Sequence, residues 1–390
     1  MGRNSFDKRE ERLLKAIECE KPDRVPIVGH SDYWPAALSE KHTTQEAAYS
    51  FDILAKCFDE VFREVNEWDA FSSIMYSHLG PLSDSFDSKR YHIPGESISE
   101  NAGFQHTDLE LMDSDEYDEL INDSMKFQFS ELLPRLCPRL ERGEPARIKA
   151  LIKGSISLYR FFKKSGDYAE KWREKYDINP ARQGGVPYAP LDWIGDNLRG
   201  IKNVVLDIRR NPEKVKKACS SLVPFLVNAG LAGASKNKED KVYPPIYNPQ
   251  HLPRFFSPEV FEEFYWPTFK RMFSEWTKRG YKVWLLLEGD VEQHLSKYKE
   301  LPKGKTVIHL ESTDLHKAKE ELGGEVCIAG GMPARLLAKG TPEEVRERAR
   351  SVLELFKDEG GFIMCQDSMI PLNAKLENVE AYVETVIEEG

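Results

Sequence analysis

Short apolar runs alternate with helix-period stretches through the second half of the chain. The runs cover residues 282–287, 306–310, 326–329 and 361–364, and each precedes a stretch with helical spacing of its apolar residues. Runs that are apolar at nearly every position are typical of parallel strands, because helices cover both faces of such a sheet. The pattern therefore predicts an α/β fold built on a parallel sheet.

One helix in this half has a complete set of start signals. Thr341 suits the N-cap, Pro342 suits the first helical position, and Glu344 completes a T-x-x-E capping box. The sequence therefore predicts a helix that begins directly after Thr341.

The first half of the chain is less regular, and its strands are predicted from weaker signals. They are predicted at residues 24–28, 70–75, 147–152 and 243–247, with a helical insertion at about 161–234 between the third and the fourth. Eight strands, each followed by helical material, are typical of a closed (β/α)8 barrel, or TIM barrel, in a single domain over residues 1–390. A doubly wound open sheet is the alternative, although no G-x-G-x-x-G fingerprint follows a strand.

Charge, hydropathy and cysteine spacing exclude several classes of protein. The formal net charge is −10, with basic residues dispersed among acidic ones, which disfavours nucleic acid or an anionic membrane as partner. The longest apolar strings are about one strand long, well below the roughly 18 residues of a membrane span. The six cysteines contain no CxxC pair, as expected for reduced thiols in a cytoplasmic protein.

Six groups of residues follow one another in a family-specific order. They are R..KA at 12–16 with PDRVP at 22–26, SPEVF at 257–261, EGD at 288–290, GTPEEV at 340–345, GGFI at 360–363, and IP at 370–371 with ENV at 377–379. Together they resemble the uroporphyrinogen decarboxylase superfamily over essentially the whole chain. The resemblance implies a barrel enzyme with its active site at the carboxyl ends of the strands. The superfamily contains porphyrinogen decarboxylases and, as a separate branch, cobalamin-dependent methyltransferases.

Departures from the family motifs bear on the choice between the two branches. True decarboxylases carry an R-Q-A-G-R run after the first strand, but residues 29–34 contain no arginine here, and a polycarboxylate substrate needs cationic partners. In the methyltransferase branch an H-x-C-G segment and a second cysteine after the last strand bind zinc, and Cys365 or Ser368 matches that second cysteine, depending on register. Here Leu286 replaces the histidine and Glu288 the cysteine, so the usual His/Cys/Cys zinc site is not expected. A metal site with mainly hard oxygen ligands, formed by Glu288, Asp290, Asp367 and Cys365, is the alternative.

The predicted site residues follow strands, where barrel enzymes carry their catalytic groups. We predict catalytic roles for Glu288, His30, Asp367 and Cys365, with Glu288 and Cys365 as the ligands of any metal. The predicted substrate-binding residues are Asp32, Tyr33, Trp34, His78, Ser155, Tyr159, Tyr247, Asn248, Asp290, Glu311 and Ser368. His309 is interpreted as packing between sheet and helix. Segments 84–108 and 188–200 are predicted to cover the site. The alternative for segment 188–200 is a helical hairpin on the outside of the barrel.

The leading functional hypothesis is a methyltransferase-like enzyme. It would move a methyl group between a methylated small molecule or corrinoid and an acceptor. A carboxy-lyase, acting as a decarboxylase on a carboxylated ligand, and a non-catalytic barrel that binds a tetrapyrrole or corrinoid are the alternatives. A small-molecule substrate is expected, while a corrinoid-binding protein and a homodimer stay open as partners.

Overall fold

The computed structural model describes residues 2–72, 79–181, 185–232, 234 and 243–390. Its strands in chain order are β1 (Val28–His30), β2 (Ala70–Ser72), β3 (Tyr91–His92), β4 (Gln105–His106), β5 (Ile246–Gln250), β6 (Val283–Leu287), β7 (Thr306–Leu310), β8 (Cys327–Met332) and β9 (Phe362–Gln366). Strands β5 to β9 form a five-stranded parallel sheet in sequence order, β1 and β2 form a parallel pair, and β3 and β4 form an antiparallel hairpin. The chain therefore has an α/β fold with a parallel sheet, as the sequence predicted.

Isolated parallel bridges link these sheets. Ile27 bridges Met364 of β9, Ala70 of β2 bridges Asn179, and Gly185 bridges Ile246 of β5. The pair β1–β2 thus lies beside β9, and the segment containing Asn179 and Gly185 contacts both β2 and β5.

Helices separate most of the strands. The first group is α1 (Gly2–Ile17), α2 (Trp34–Leu38), α3 (Thr44–Tyr49), α4 (Phe51–Glu64), α5 (Leu79–Phe86), α6 (Tyr117–Asn122), α7 (Ser124–Phe127), α8 (Leu133–Leu136) and α9 (Glu144–Tyr176). The second is α10 (Pro190–Ile194), α11 (Ile201–Arg210), α12 (Pro212–Leu231), α13 (Pro258–Val260) and α14 (Trp266–Lys278). The last is α15 (Leu295–Tyr298), α16 (Leu315–Leu322), α17 (Ala334–Lys339), α18 (Pro342–Phe356) and α19 (Leu376–Glu389). Among the described residues, no helix has the length and hydrophobicity that crossing a membrane requires.

The parallel strands bury apolar side chains on both faces. Alternate strand residues form one cluster, on what we call the inner face, together with three residues of α1: Leu13, Ala16, Ile17, Val28, Ala70, Ala181, Tyr243, Tyr247, Trp284, Leu286, Val307, Cys327, Ala329, Ile363 and Cys365. Intervening residues such as Val283, Leu285 and Leu287 join a larger cluster that includes the helices. Burial on both faces explains why the runs are apolar at every position.

The structure corrects the predicted strands of the first half. The run at residues 147–152 is not a strand but part of α9, which begins at Glu144. Its apolar residues Ile148, Leu151 and Ile152 recur at intervals of three and four, and they are exposed on the helix. The insertion therefore does not follow a strand at 147–152, although it does contain helices, two of which begin at Pro190 and Pro212.

Other predicted strands are displaced by a few residues. The run at 24–28 overlaps β1 only at Val28, where the strand begins, and the run at 243–247 overlaps β5 at its first two residues, from Ile246. The strand predicted at 70–75 is present as Ala70–Ser72, and its remaining positions lie outside the described residues. Displacements of this size shift which side chains are assigned to the strand ends.

The capping box of α18 is present and offers a test of local stability. The Thr341 hydroxyl accepts a hydrogen bond from the Glu344 backbone N–H, and the Glu344 carboxylate accepts one from the Thr341 backbone N–H. We expect Thr341→Ala to lower the free energy of unfolding by about 1 kcal/mol in urea denaturation. The control is Ser351→Ala, at an exposed position inside the same helix, and an equal loss in both variants would contradict the assignment.

Candidate functional site

A histidine bridges two carboxylates at the carboxyl end of the parallel strands. His251 directly follows β5, and its Nε2 lies 2.9 Å from Oε1 of Glu288, which directly follows β6. Its Nδ1 lies 2.6 Å from Oδ2 of Asp196 in the π-helical turn Gly195–Arg199. The three side chains form a continuous chain of hydrogen bonds, which we call the Asp196–His251–Glu288 chain.

The imidazole of this chain is protonated at neutral pH. Burial by itself would lower the pKa of His251, but the hydrogen bonds to Asp196 and Glu288 outweigh it and raise the pKa to about 11. Both ring nitrogens therefore carry hydrogen and donate, one to each carboxylate. The histidine acts as a fixed cation that orients Glu288.

A buried aspartate fixes the backbone at the end of β5. Asp192 of α10 accepts hydrogen bonds from the backbone N–H of His251 at 3.2 Å and of Leu252 at 2.9 Å, and from the Tyr265 hydroxyl at 2.5 Å. Burial raises the pKa of Asp192 to about 7, and the charge of Asp196 acts in the same direction. The carboxyl group thus ties α10 to the strand that delivers His251.

Both segments predicted to cover the site reach this chain. The segment 188–200 supplies Asp196, and it also supplies Tyr188, whose ring lies edge-on 5.7 Å from the His251 ring. In the segment 84–108, Arg90 donates to the Asp196 backbone oxygen at 2.9 Å. Burial lowers the pKa of His106, and the positive charges of Arg90 and His251 act in the same direction. The chain therefore lies where the covering segments meet the strand ends.

The turn after β6 requires a glycine. Gly289 has φ of 74°, in the left-handed region, and a Cβ there would lie 2.4 Å from Cδ of Arg254. The Gly289 N–H donates to Oε2 of Glu311 at 2.5 Å. Asp290 accepts a hydrogen bond from the Glu292 backbone N–H and so caps the next turn. This glycine holds Glu288 and Glu311 at neighbouring strand ends.

Below these strand ends, three buried side chains converge. His30 ends β1, His309 is the penultimate residue of β7, and Cys365 is the penultimate residue of β9. One nitrogen or sulfur atom from each lies within 4.8 Å of the others. The structure thus brings together His30 and Cys365, which the sequence singled out. It corrects the interpretation of His309, which points to the inner face because it alternates with Ile308 and Leu310 of the outer cluster.

Other predicted residues lie at the strand ends with defined partners. Asp367, two residues beyond Cys365, accepts a hydrogen bond from the Ala334 backbone N–H at 3.0 Å. Burial raises the pKa of Asp367, and the charge of Glu311 acts in the same direction. Burial also raises the pKa of Asp32, which accepts a hydrogen bond from the Tyr33 backbone N–H. Ser368 is half-buried in the turn that follows.

Several predicted substrate-binding residues do not lie at the site. Ser155 and Tyr159 are exposed on α9, because the strand expected before them is helical. Tyr33 and Trp34 are fully buried core residues rather than cleft-lining ones. His78 lies outside the described residues.

The two residues predicted after the fourth strand lie within it. Tyr247 belongs to the inner face, with its ring 6.4 Å from that of His30. Asn248 is fully buried, donates to the Pro187 oxygen and accepts from Gln250. Asn248 therefore fixes the backbone rather than a substrate.

His251, Asp192 and Asp196 were missed by sequence reasoning. The strand was predicted to end at residue 247, whereas it ends at Gln250, and His251 is the first residue beyond it. Asp192 and Asp196 are four residues apart within a segment already predicted to cover the site. That spacing places two carboxylates on one face of a helix and was the available signal.

The pKa of His251 gives a pH-dependent expectation for stability. The folded value of about 11 exceeds the unfolded value of about 6.5, so the stabilisation is complete below about pH 6.5 and declines as pH rises toward the folded value. We expect His251→Asn to lower the free energy of unfolding more at about pH 6 than at about pH 9. Urea denaturation at both pH values measures this, with exposed His316→Asn as control. A loss that grows with pH would contradict the ion pairing.

Comparison with known proteins identifies the family. The family model for uroporphyrinogen decarboxylase (URO-D) matches residues 193–389, more than half of the 390 residues. The chain belongs to the uroporphyrinogen decarboxylase family. The matched region of this URO-D family chain includes Asp196, His251 and Glu288, so the hydrogen-bonded chain lies within the family segment.

A solved structure of a methyltransferase from Methanosarcina mazei is similar in fold to this URO-D family chain. The TM-score is 0.65 over 97% of this chain and 98% of that one, with 16% sequence identity. At this identity the likeness concerns the fold. No curated protein matches the sequence.

Proposed function

We propose that this URO-D family chain is a methyltransferase-like enzyme acting at the carboxyl ends of its parallel strands. Its substrates would be a methylated small molecule or methyl-corrinoid as donor and a small nucleophile, such as a thiol, as acceptor. The observation that carries the proposal is the Asp196–His251–Glu288 chain, which holds a partly exposed carboxylate at a strand end. The fold likeness to a methyltransferase agrees with it.

We further propose that the parallel strands close into a (β/α)8 barrel. The bridging segment with Asn179 and Gly185 would act as the strand between β2 and β5, and the bridge from Ile27 to Met364 would join β1 to β9. The inner-face cluster supports this closure because it contains residues from every one of these segments. The chemistry would then take place at the carboxyl-end mouth of the barrel.

Glu288 is suited to accept a proton from the attacking nucleophile. Its Oε1 is bound to His251, and among the described residues no partner is shown for Oε2. When a thiol acceptor attacks, its proton would pass to Oε2, the new carbon–sulfur bond would form, and the electrons of the broken donor–methyl bond would leave with the donor atom. His251 and Asp196 hold the carboxylate in one orientation throughout.

The usual zinc position of the methyltransferase branch does not fit these residues. Leu286 is an apolar inner-face residue, and Glu288 is hydrogen-bonded to a protonated histidine. We therefore assign no step to a metal at that position. A corrinoid enters this proposal as a substrate, delivered free or by a corrinoid-binding protein.

Decarboxylation of a polycarboxylate is less well supported by the arrangement of charges. Arg199 is buried in an ion pair with Asp207 at 2.7 Å, so it is unavailable to a substrate carboxylate. Arg90 donates to the Asp196 backbone oxygen and to the Asn197 side chain. Glu288 and Asp367 follow the inner-face residues Leu286 and Cys365 by two positions. Asp32 and Glu311 follow His30 and His309 in the same way, and the four carboxyl groups make this end of the sheet acidic.

Two anaerobic assays with the purified protein distinguish these activities. In the first, free methylcobalamin is mixed with 2-mercaptoethanol or cysteine, and loss of its methyl group is followed by absorbance. We expect enzyme-dependent demethylation with at least one thiol. In the second, uroporphyrinogen is the substrate and no coproporphyrinogen is expected. Coproporphyrinogen formation without any methyl transfer would contradict the proposal.

A further inference from the structure

We propose that His30, His309 and Cys365 bind a transition-metal ion on the inner face of the sheet. All three side chains are buried, and one ligand atom from each lies within 4.8 Å of the others. None of them occupies the H-x-C-G positions 286–289, and only Cys365 matches a zinc ligand of the methyltransferase branch, its second cysteine, so His30 and His309 are new to the set. The proposal of a metal site does not depend on methyl transfer, because the experiment that tests it measures metal binding and not turnover.

An unsatisfied nitrogen points to a missing ligand. His30 is 3% exposed, and among the described residues its Nε2 has no hydrogen-bond partner. Its ring lies 5.5 Å from that of His309 and 5.1 Å from that of Trp284. Buried polar atoms in native proteins are nearly always paired, so an orphan calls for a partner such as an ion. A metal shared with His309 and Cys365 would provide that partner.

The hydrogen bonds of His309 define which of its nitrogens is unprotonated. Nε2 lies 2.6 Å from the backbone oxygen of Gln366, which only accepts, so Nε2 carries the hydrogen. Nδ1 lies 3.2 Å from the indole nitrogen of Trp284, which only donates, so Nδ1 is unprotonated. A ring N–H donated to a backbone carbonyl is the usual support of a metal-binding histidine. A metal at Nδ1 would displace the Trp284 N–H.

The donor set favours a particular class of ion. Two imidazoles and a thiolate suit Zn²⁺ or Co²⁺ better than Mg²⁺ or Ca²⁺, which prefer oxygen. Tetrahedral zinc places such ligand atoms about 3.3–3.6 Å apart, so the side chains would close by roughly 1 Å on binding. Binding would release the Cys365 thiol proton to solvent. Three protein ligands leave a fourth position for water or a substrate atom.

The rigid setting of the three residues supports metal binding. His309 and Cys365 lie on strands flanking β8, and His30 lies on the strand linked to β9 by the Ile27–Met364 bridge. The backbone N–H of His30 also donates to the Gln366 side chain at 3.2 Å. Ligands on paired strands are held at fixed separations, which lowers the entropy lost on binding.

The test is titration of the chelator-treated whole protein with Co²⁺. We expect about one Co²⁺ per chain, a thiolate-to-cobalt charge-transfer band in the near ultraviolet, and displacement by Zn²⁺. Cys365→Ala should abolish that band, and both Cys365→Ala and His30→Ala should weaken affinity at least about tenfold. The control is Cys219→Ala, which removes another fully buried thiol, on α12.

Cobalt titration of the wild-type protein can contradict the proposed metal site even if a variant fails to fold. Absence of a stoichiometric thiolate–cobalt band in folded wild-type protein would overturn it. Equal loss of the band in the Cys219 and Cys365 variants, both shown folded by circular dichroism, would overturn it as well.

Discussion

Replacing Glu288 with glutamine should lower turnover by about 10²–10⁴-fold, the range for loss of a general acid or base. Glutamine retains the size of the side chain and an oxygen able to accept from His251, but it cannot take up a proton. Because Glu288 is 29% exposed and no buried packing is lost, the free energy of unfolding should change by less than about 1 kcal/mol. Initial rates of methyl transfer and urea denaturation measure the two effects.

The matched control for this variant is Glu292→Gln, an exposed glutamate four residues further along the chain. We expect its turnover to match that of the wild type. Full activity in Glu288→Gln would remove Glu288 from the reaction. A large loss of stability in the same variant would instead give the carboxylate a structural role.

Asp69→Ala should destabilise the protein strongly. Asp69 is fully buried; it pairs with Arg12, lies 2.8 Å from Arg24 Nη1 and accepts a hydrogen bond from the Ile27 backbone N–H. Removing it leaves the mostly buried Arg24 without a carboxylate partner and Arg12 with the exposed Asp23 alone, and breaking a buried ion pair in this way costs about 3–5 kcal/mol. The loss should be visible as a lower urea midpoint with an unchanged slope.

Asp23→Ala is the control, since Asp23 binds the same arginine from the surface. Its side chain is 61% exposed and lies 2.7 Å from Nε of Arg12. An exposed ion pair contributes less than about 1 kcal/mol. Equal losses in the two variants would show that burial of Asp69 is not the cause.

This cluster also explains one of the motifs that carry the family resemblance. Arg12, Asp23 and Arg24 belong to the R..KA and PDRVP segments, and all three contact Asp69 directly or through Arg12. They connect α1 to the start of β1 and to the residue preceding β2. The motif therefore stabilises the amino-terminal ends of the strands, away from the candidate site.

The second half of the fold could be predicted because its signals are redundant. Each of β6 to β9 overlaps a predicted run, although β8 and β9 extend beyond it, and the helix after Thr341 begins as expected. There, burial on both faces, cap residues and helix periodicity all agree.

The first half was harder to predict because its signals conflict. Residues 147–152 have apolar side chains that face solvent on α9, so hydrophobicity alone favoured a strand. At its described positions, the segment around Asn179 and Gly185 forms isolated bridges rather than a continuous ladder, and its sequence carries no apolar run. Six residues are too few to separate a period of two from one of 3.6.

Sequence reasoning could predict the candidate residues at the strand ends, but not the side chains that pair with them. Glu288 and Asp367 directly follow β6 and β9, and His30 and Cys365 are the last and the penultimate residues of β1 and β9, positions that the apolar runs of the sequence indicate. The pairing of Glu288 with His251 depends on where β5 ends and on how α10 packs over it. Both depend on tertiary contacts, which no local sequence pattern indicates.

The most direct test of the central claim is the fate of an isotope-labelled methyl group. Wild-type protein, Glu288→Gln and Glu292→Gln are each incubated anaerobically with labelled methylcobalamin and the thiol that supports demethylation, and the products are identified by NMR. We expect the label in a methyl thioether with wild type and Glu292→Gln, and at least about a hundredfold slower with Glu288→Gln. Label that stays in the donor with all three proteins, or that moves equally fast with Glu288→Gln, would contradict a methyl transfer that depends on Glu288.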